Sequence, residues 1–215
     1  MIPLLLASIA LSGLLAVVGE ERGPRWLVYA FKPLTTVLIL GLAASATGVS
    51  ARYQVLVAVG LAASLAGDVF LMLPRDRFVP GLASFLVAHL AYVAAFAVSP
   101  AGVAPWIVLG VLLGFGGVVL RALWPGLGPL RAPVAVYVGV ILAMAWMAAA
   151  RWLRLPSAGA AAAAGGALLF VCSDTLLALD RFRGRLAYAR TLVLATYYGA
   201  QVLIALSVRL GLASS

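Results

Sequence analysis

Four ionisable side chains stand apart from the charged loops of this chain: Lys32, Asp68, His89 and Asp174 each fall inside a long apolar run. A charged side chain at mid-bilayer costs about 2.5–3.5 kcal/mol on insertion scales, so such groups face a bundle interior and mark function, or pair as structural glue. Snorkelling to the interface could account for Lys32, about six residues into its run, but not for the aspartates. Two carboxylates sharing a low-dielectric site divide their work, one holding a proton as general acid while the other stays ionised as a base or cation stabiliser. That pair is the apparatus for acid-catalysed cleavage through an oxocarbenium-like state, and Asp68 and Asp174 are the candidates for it. A nearby lysine or histidine could hold an anionic headgroup or tune either acid. One histidine with two aspartates could also hold a metal ion. The sequence has no second histidine, HExxH, Walker loop or GxSxG, and no metal or cofactor is expected.

The elements that must position these groups are membrane spans. Hydrophobic residues make up 65% of the 215 and charged residues 10%, and mean hydropathy is +1.15, which excludes a water-soluble domain. Runs of roughly 18–23 apolar residues, long enough to cross a core of about 30 Å, recur along the chain. Eight are expected, at about 2–19, 26–44, 53–73, 78–98, 103–120, 133–150, 157–179 and 188–210. The connectors between them, among them GEERGPR (19–25), LPRDRF (73–78), SPAG (99–102), WPGLGPLRAP (124–133), RWLRLP (151–156) and DRFRGR (180–185), are too short to fold alone. The fold class is therefore all-α, a polytopic helical bundle forming one transmembrane domain over residues 1–215. The first run lacks a preceding Lys or Arg and reads as a span rather than a cleaved leader. The single cysteine, Cys172, excludes an internal disulfide.

Spacing aims the ionisable groups inward. Asp68 precedes Arg75 by seven positions and Asp174 precedes Arg181 by seven, about 10 Å of helix from the basic boundary. Gly81, Phe85, His89, Tyr92 and Phe96 share one stripe of span four, and Gly166, Phe170, Asp174 and Leu177 line up on span seven. Tyr197 and Gln201 lie four apart on span eight, where interhelical hydrogen bonding is the ordinary role of such residues. Gly110, Gly114 and Gly117 on span five read as sites of close helix approach. An internal repeat is visible as well: GDVFLMLPRDRF (67–78) and SDTLLALDRF (173–182) end spans three and seven. GPRWLVYAFKP (23–33) and GPLRAPVAVYVG (128–139) precede spans two and six. Two parallel four-helix halves, 1–100 and 101–215, are expected.

Of the fifteen basic residues behind the net charge of +9, fourteen are arginines scattered over short loops, which argues against a nucleic-acid partner. With the N-terminus outside, one side of the membrane would hold Arg22, Arg25, Arg75, Arg77, Arg121, Arg131, Arg181, Arg183, Arg185 and Arg190. The other would hold Arg52, Arg151, Arg154 and Arg209. Positive-inside bias puts both termini outside the cytoplasm.

Taken in order, FKP (31–33), GD (67–68), Gly81, Phe85, His89 and Tyr92, then Tyr137, GALLFVCSD (166–174) and YYGAQ (197–201) resemble the YhhN-like family of eight-span membrane proteins. That family includes the mammalian lysoplasmalogenases. The resemblance covers nearly the whole chain and implies a hydrolase of the cytoplasmic (inner) membrane acting on a lysophospholipid, with the bilayer as its other partner. The reaction implied is cleavage of a lysoplasmalogen vinyl ether to a fatty aldehyde and a glycerophospho-alcohol. Asp68 and Asp174, at the family's Gly-Asp and Ser-Asp positions, are the expected catalytic pair. Lys32 is expected to bind the phosphate, and His89, Tyr92, Tyr137, Tyr197 and Gln201 to orient water and glycerol hydroxyls. The competing reading is a proton-coupled transporter of a small or lipid-like substrate, for which embedded Asp, Lys and His are also normal.

Overall fold

In hydrocarbon a backbone amide has no water to turn to, so each apolar run closes its hydrogen bonds on itself as helix. The computed structural model describes residues 2–47, 50–98 and 106–210; the SPAG connector and the start expected for span five lie outside them. The described residues form α1 (Ile2–Glu21), α2 (Arg25–Ala44), α3 (Ala51–Met72), α4 (Phe78–Phe96), α5 (Trp106–Leu123), α6 (Arg131–Arg154), α7 (Ala158–Phe182) and α8 (Ala189–Arg209). All eight are long and apolar enough to cross a membrane, and the protein is a multi-pass membrane protein. The expected spans correspond one to one with the helices, and the ends differ by at most four residues. Ser50 and Ser157 cap α3 and α7 by accepting from the amides of Tyr53 and Ala160. The Pro/Gly-rich connector after α5 forms two 3-10 turns, Trp124–Gly126 and Gly128–Leu130.

The packing pattern decides where a site can form. α1 lies on α2, α2 on α3 and α3 on α4; α5 lies on α6, α6 on α7 and α7 on α8. Across the bundle α4 packs on α6 and α2 on α8, while α1 also closes against α8. α5 and α4 share no comparable contact. Two glycines let the aspartate-bearing helices pack closely on the next helix, because a side chain has no room there. A Cβ on Gly60 of α3 would stand 2.3 Å from the Tyr92 ring of α4, and one on Gly166 of α7 would stand 2.9 Å from the Ala200 carbonyl oxygen of α8. Each lies eight residues before its helix's aspartate.

Polarity is inverted relative to a soluble protein. Large apolar side chains such as Ile107, Val118 and Leu4 face outward, while Lys32, Thr35, Thr36, Ser64, Asp68, His89, Ser173 and Gln201 are buried. The span-five glycines do not act as expected. Cβ atoms built on Gly110, Gly114 and Gly117 would meet nothing within 4 Å, so they face outward; only Gly116 of α5 packs inward, against Leu142.

Candidate active site

Each aspartate is held by a hydroxyl from the preceding helix. Thr36, one turn beyond Lys32 on α2, donates to Oδ2 of Asp68 at 2.7 Å, and Tyr197 of α8 donates to the same oxygen at 2.7 Å. Asp174 accepts a very short hydrogen bond from the Tyr137 hydroxyl of α6 on its Oδ2. Nε2 of His89, on α4, stands 3.8 Å from that oxygen, too far for a hydrogen bond. The His89 ring is clamped edge-on by Tyr137 and Phe170, with centroids 5.2 and 4.6 Å away. Neither of its nitrogens finds a hydrogen-bond partner among the described residues.

Both carboxylates line one polar cavity of about 480 Å³, together with Lys32, Ser173 and Tyr197. Its mouth is built at the end of the bundle where α1, α3 and α7 finish and α4 and α8 begin, from Glu20, Arg75, Asp76, Arg77, Asp180, Arg181 and Arg190. Part of this charge is internally matched. Arg181 pairs with Asp76 and caps the Phe78 ring at 5.1 Å, and Arg190 donates to the Glu20 carbonyl oxygen. The hydrogen bond from Arg181 holds the Asp76 carboxyl below the usual carboxylate range. Because that pair is exposed, it adds little to stability. Arg75 and Arg77 make no salt bridge among the described residues.

A second cavity, narrow and apolar, runs beside the first. It is walled by α4, α5, α6 and α7 and shares Leu71, Phe78, Phe85, Asp174 and Leu177 with the polar cavity. Tyr137 lies on its wall.

Of the residues singled out from the sequence, Lys32, Asp68, Asp174 and Tyr197 meet around the polar cavity, and Tyr137 reaches Asp174 from the apolar side. His89, Tyr92 and Gln201 line neither cavity. All three are fully buried, and the Tyr92 hydroxyl is spent on Oε1 of Gln201 at 2.7 Å. Tyr92 and Gln201 join α4 to α8, and His89 stands next to Asp174. Thr36 and the arginines of the mouth are functional candidates the sequence reading passed over. For Thr36 the available signal was its place one turn after Lys32, on the same face of α2. Among the described residues no three His, Cys, Asp or Glu side chains gather as a metal site would require.

Comparison with known proteins matches this arrangement to a family. The model of the YhhN family matches residues 27–208. The Uncharacterized membrane protein YhhN of Escherichia coli O157:H7 is 34% identical, over 94% of this chain and 97% of its own. Lysoplasmalogenase TMEM86B of Sus scrofa is 38% identical, over 86% of this chain and 76% of its own, and Lysoplasmalogenase TMEM86A of Bos taurus is 39% identical, over 69% and 63%. No solved structure matches. With a match across nearly all of α2–α8, the helices that carry both aspartates and the hydroxyls that hold them, the chain belongs to the YhhN family.

Proposed function

We propose that this protein is a membrane-embedded hydrolase that cleaves the vinyl ether bond of a lysoplasmalogen, or of a related single-chain ether lysolipid. The products are a fatty aldehyde and a glycerophospho-alcohol. The observation that carries the reading is the meeting of Asp68 and Asp174 on the wall of one cavity, in a chain whose relatives include proteins named lysoplasmalogenase.

The chemistry asks for one acid and one base. The protonated carboxyl delivers its proton to the chain-side carbon of the double bond, whose π pair forms the new C–H bond, and the ether oxygen shares the resulting positive charge. Water adds to that oxocarbenium ion and loses a proton to the second carboxylate, giving a hemiacetal. The second carboxyl returns its proton to the ether oxygen as the C–O bond breaks, and the first carboxylate takes the hemiacetal hydroxyl proton. Both groups end as they began. Tyr137, Tyr197 and Thr36 hold the carboxylates in place through the cycle, and Lys32 and the unpaired Arg75 and Arg77 of the mouth take the phosphate. Residues 1–100 and 101–215 form two parallel repeats of one domain, each supplying one aspartate. The protein sits in the cytoplasmic membrane with both termini outside, so the mouth faces the cytoplasm.

The test is aldehyde release from lysoplasmenylethanolamine by purified protein in detergent, run beside uptake by liposomes carrying it. Asp68→Asn and Asp174→Asn each lower turnover by about 10²–10⁴-fold, the range of general acid–base catalysis, with helical content unchanged by circular dichroism. Wild-type activity in either variant removes that residue from the mechanism, and uptake without cleavage moves the protein to the transporters.

A further inference from the structure

The two aspartates differ in what they touch besides the polar cavity. Asp68 is 1% exposed and lines the polar cavity alone. The Asp174 side chain is 16% exposed and lines both cavities, standing where the polar one meets the apolar groove. Past that junction the groove is walled by Leu82 of α4, by Phe115, Gly116 and Val119 of α5, by Val138 of α6 and by Ala178 of α7. None of these can hydrogen-bond a headgroup through its side chain, and the Thr175 hydroxyl on the same wall donates to the Val171 carbonyl oxygen of its own helix. The groove is narrow, about 60 Å³, against about 480 Å³ for the polar cavity. That suits a slender chain and excludes a bulky polar group.

The groove lies where the packing pattern breaks. α1 closes against α8, and in the second half the corresponding pair is α5 and α4, which do not close; the groove occupies the space between them. α5 is also the most loosely seated helix, with only 17% of its span buried.

We infer that this groove seats the first methylenes of the substrate's hydrocarbon chain, that the rest of the chain lies in the bilayer against α5, and that Asp174 is therefore the carboxyl meeting the reacting double bond. The inference rests on the ether-cleavage reading for its chemistry and on the cavities for its geometry. With the headgroup in the polar mouth and the chain in the groove, the double bond falls at the junction. The carbon that must be protonated is the one bearing the chain, so it is the one nearest the groove. The Asp174 O–H gives its proton to that carbon, the π pair becomes the C–H bond, and the carboxylate left behind keeps the hydrogen bond from Tyr137. Asp68, on the polar side only, takes the proton from the attacking water.

A saturated alkyl-ether lysolipid, which has no vinyl group to cleave, carries a diazirine on the fourth chain carbon and is irradiated with the full-length protein in lipid nanodiscs. Adducts mapped by mass spectrometry are expected on Leu82, Val119 or Ala178. In parallel, Ala178→Trp and Val119→Trp fill the groove from opposite walls. Each lowers labelling at least tenfold, and each lowers the preference for a hexadecenyl over a propenyl ether substrate at least tenfold. Adducts on α1 or α8, or an unchanged preference in a folded variant, overturn the chain seat even if the wild type cleaves ether. Groove labelling by a protein that cleaves neither substrate upholds the seat and brings down the reaction.

Discussion

Asp68 on α3 and Asp174 on α7 are held alike and enclosed differently. Each accepts a hydroxyl from the helix before its own, Thr36 on α2 or Tyr137 on α6, and each has an aromatic neighbour from across the bundle, Tyr197 on α8 or His89 on α4. On the first side Tyr197 also hydrogen-bonds the carboxylate and α1 seals the flank against α8. On the second, His89 stops short of hydrogen-bonding distance and the α5 flank stays open as a groove. A common scaffold thus yields one carboxyl that borders only the polar cavity, and one that borders the apolar groove as well. Two acids with different neighbours are what a reaction with separate protonation and hydration steps needs.

Removing one hydroxyl from each side is the strongest way to break that comparison. A hydrogen bond to a charged group is worth about 1.5–3 kcal/mol, so Tyr137→Phe, which strips Asp174 of its one hydroxyl partner among the described residues, lowers kcat by about ten- to a hundredfold. Tyr197→Phe has a smaller effect, under about tenfold, since Thr36 still holds the same Asp68 oxygen. Equal losses in the two variants would mean that the sides are energetically equivalent and that the asymmetry of partners has no catalytic weight.

A smaller effect separates headgroup binding from carboxylate tuning on the Asp68 side. Lys32 is 8% exposed and lines the polar cavity with Asp68, and the sequence has no second lysine to do the same for Asp174. If Lys32 grips the phosphate, Lys32→Met raises KM severalfold and changes kcat by less. Steady-state kinetics with a lysoplasmenyl substrate read the split directly. A fall in kcat at constant KM would reassign Lys32 as the positioning partner of Asp68 and leave the phosphate to the arginines of the mouth.

How much of this was legible depended on whether periodicity or depth was the question. Apolar runs of bilayer length are so constrained by backbone pairing that all eight spans could be read from the sequence, and the cost of an embedded charge singled out Asp68, Asp174 and Lys32. Inward stripes were readable too, since Phe85, His89, Tyr92 and Phe96 are all buried. A stripe cannot say whether an inward residue lines a cavity, and His89, Tyr92 and Gln201, inward on the sequence pattern, line neither of the two. Thr36 was hidden for a related reason. Threonines within spans ordinarily bond back to their own helix, as Thr35, Thr175 and Thr196 do here, and the one that reaches across to another is marked only by its place one turn after Lys32. The apolar groove is defined by a missing contact between α4 and α5, which no pattern within either helix encodes.

The seating of α1 against the looseness of α5 gives the last and, for catalysis, the smallest test. Both helices carry glycines, and the sequence suggested close approach for those of α5. In the fold both glycines of α1 are used, a Cβ on Gly13 coming to 3.3 Å from the Tyr198 ring of α8 and one on Gly19 to 2.8 Å from Leu27 of α2, whereas in α5 only Gly116 is, and Gly114 has open space. Forcing methylenes into a packed interface costs about 1–3 kcal/mol, so Gly19→Leu lowers the thermal midpoint measured by size exclusion after heating in detergent. Gly114→Leu leaves that midpoint unchanged or raises it slightly, because leucine is the better helix former. Neither residue touches the carboxylates, so turnover of the folded fraction stays near wild type in both. If Gly114→Leu proved as damaging as Gly19→Leu, α5 would have a partner at that face, and the open flank beside Asp174 would be closed in the membrane.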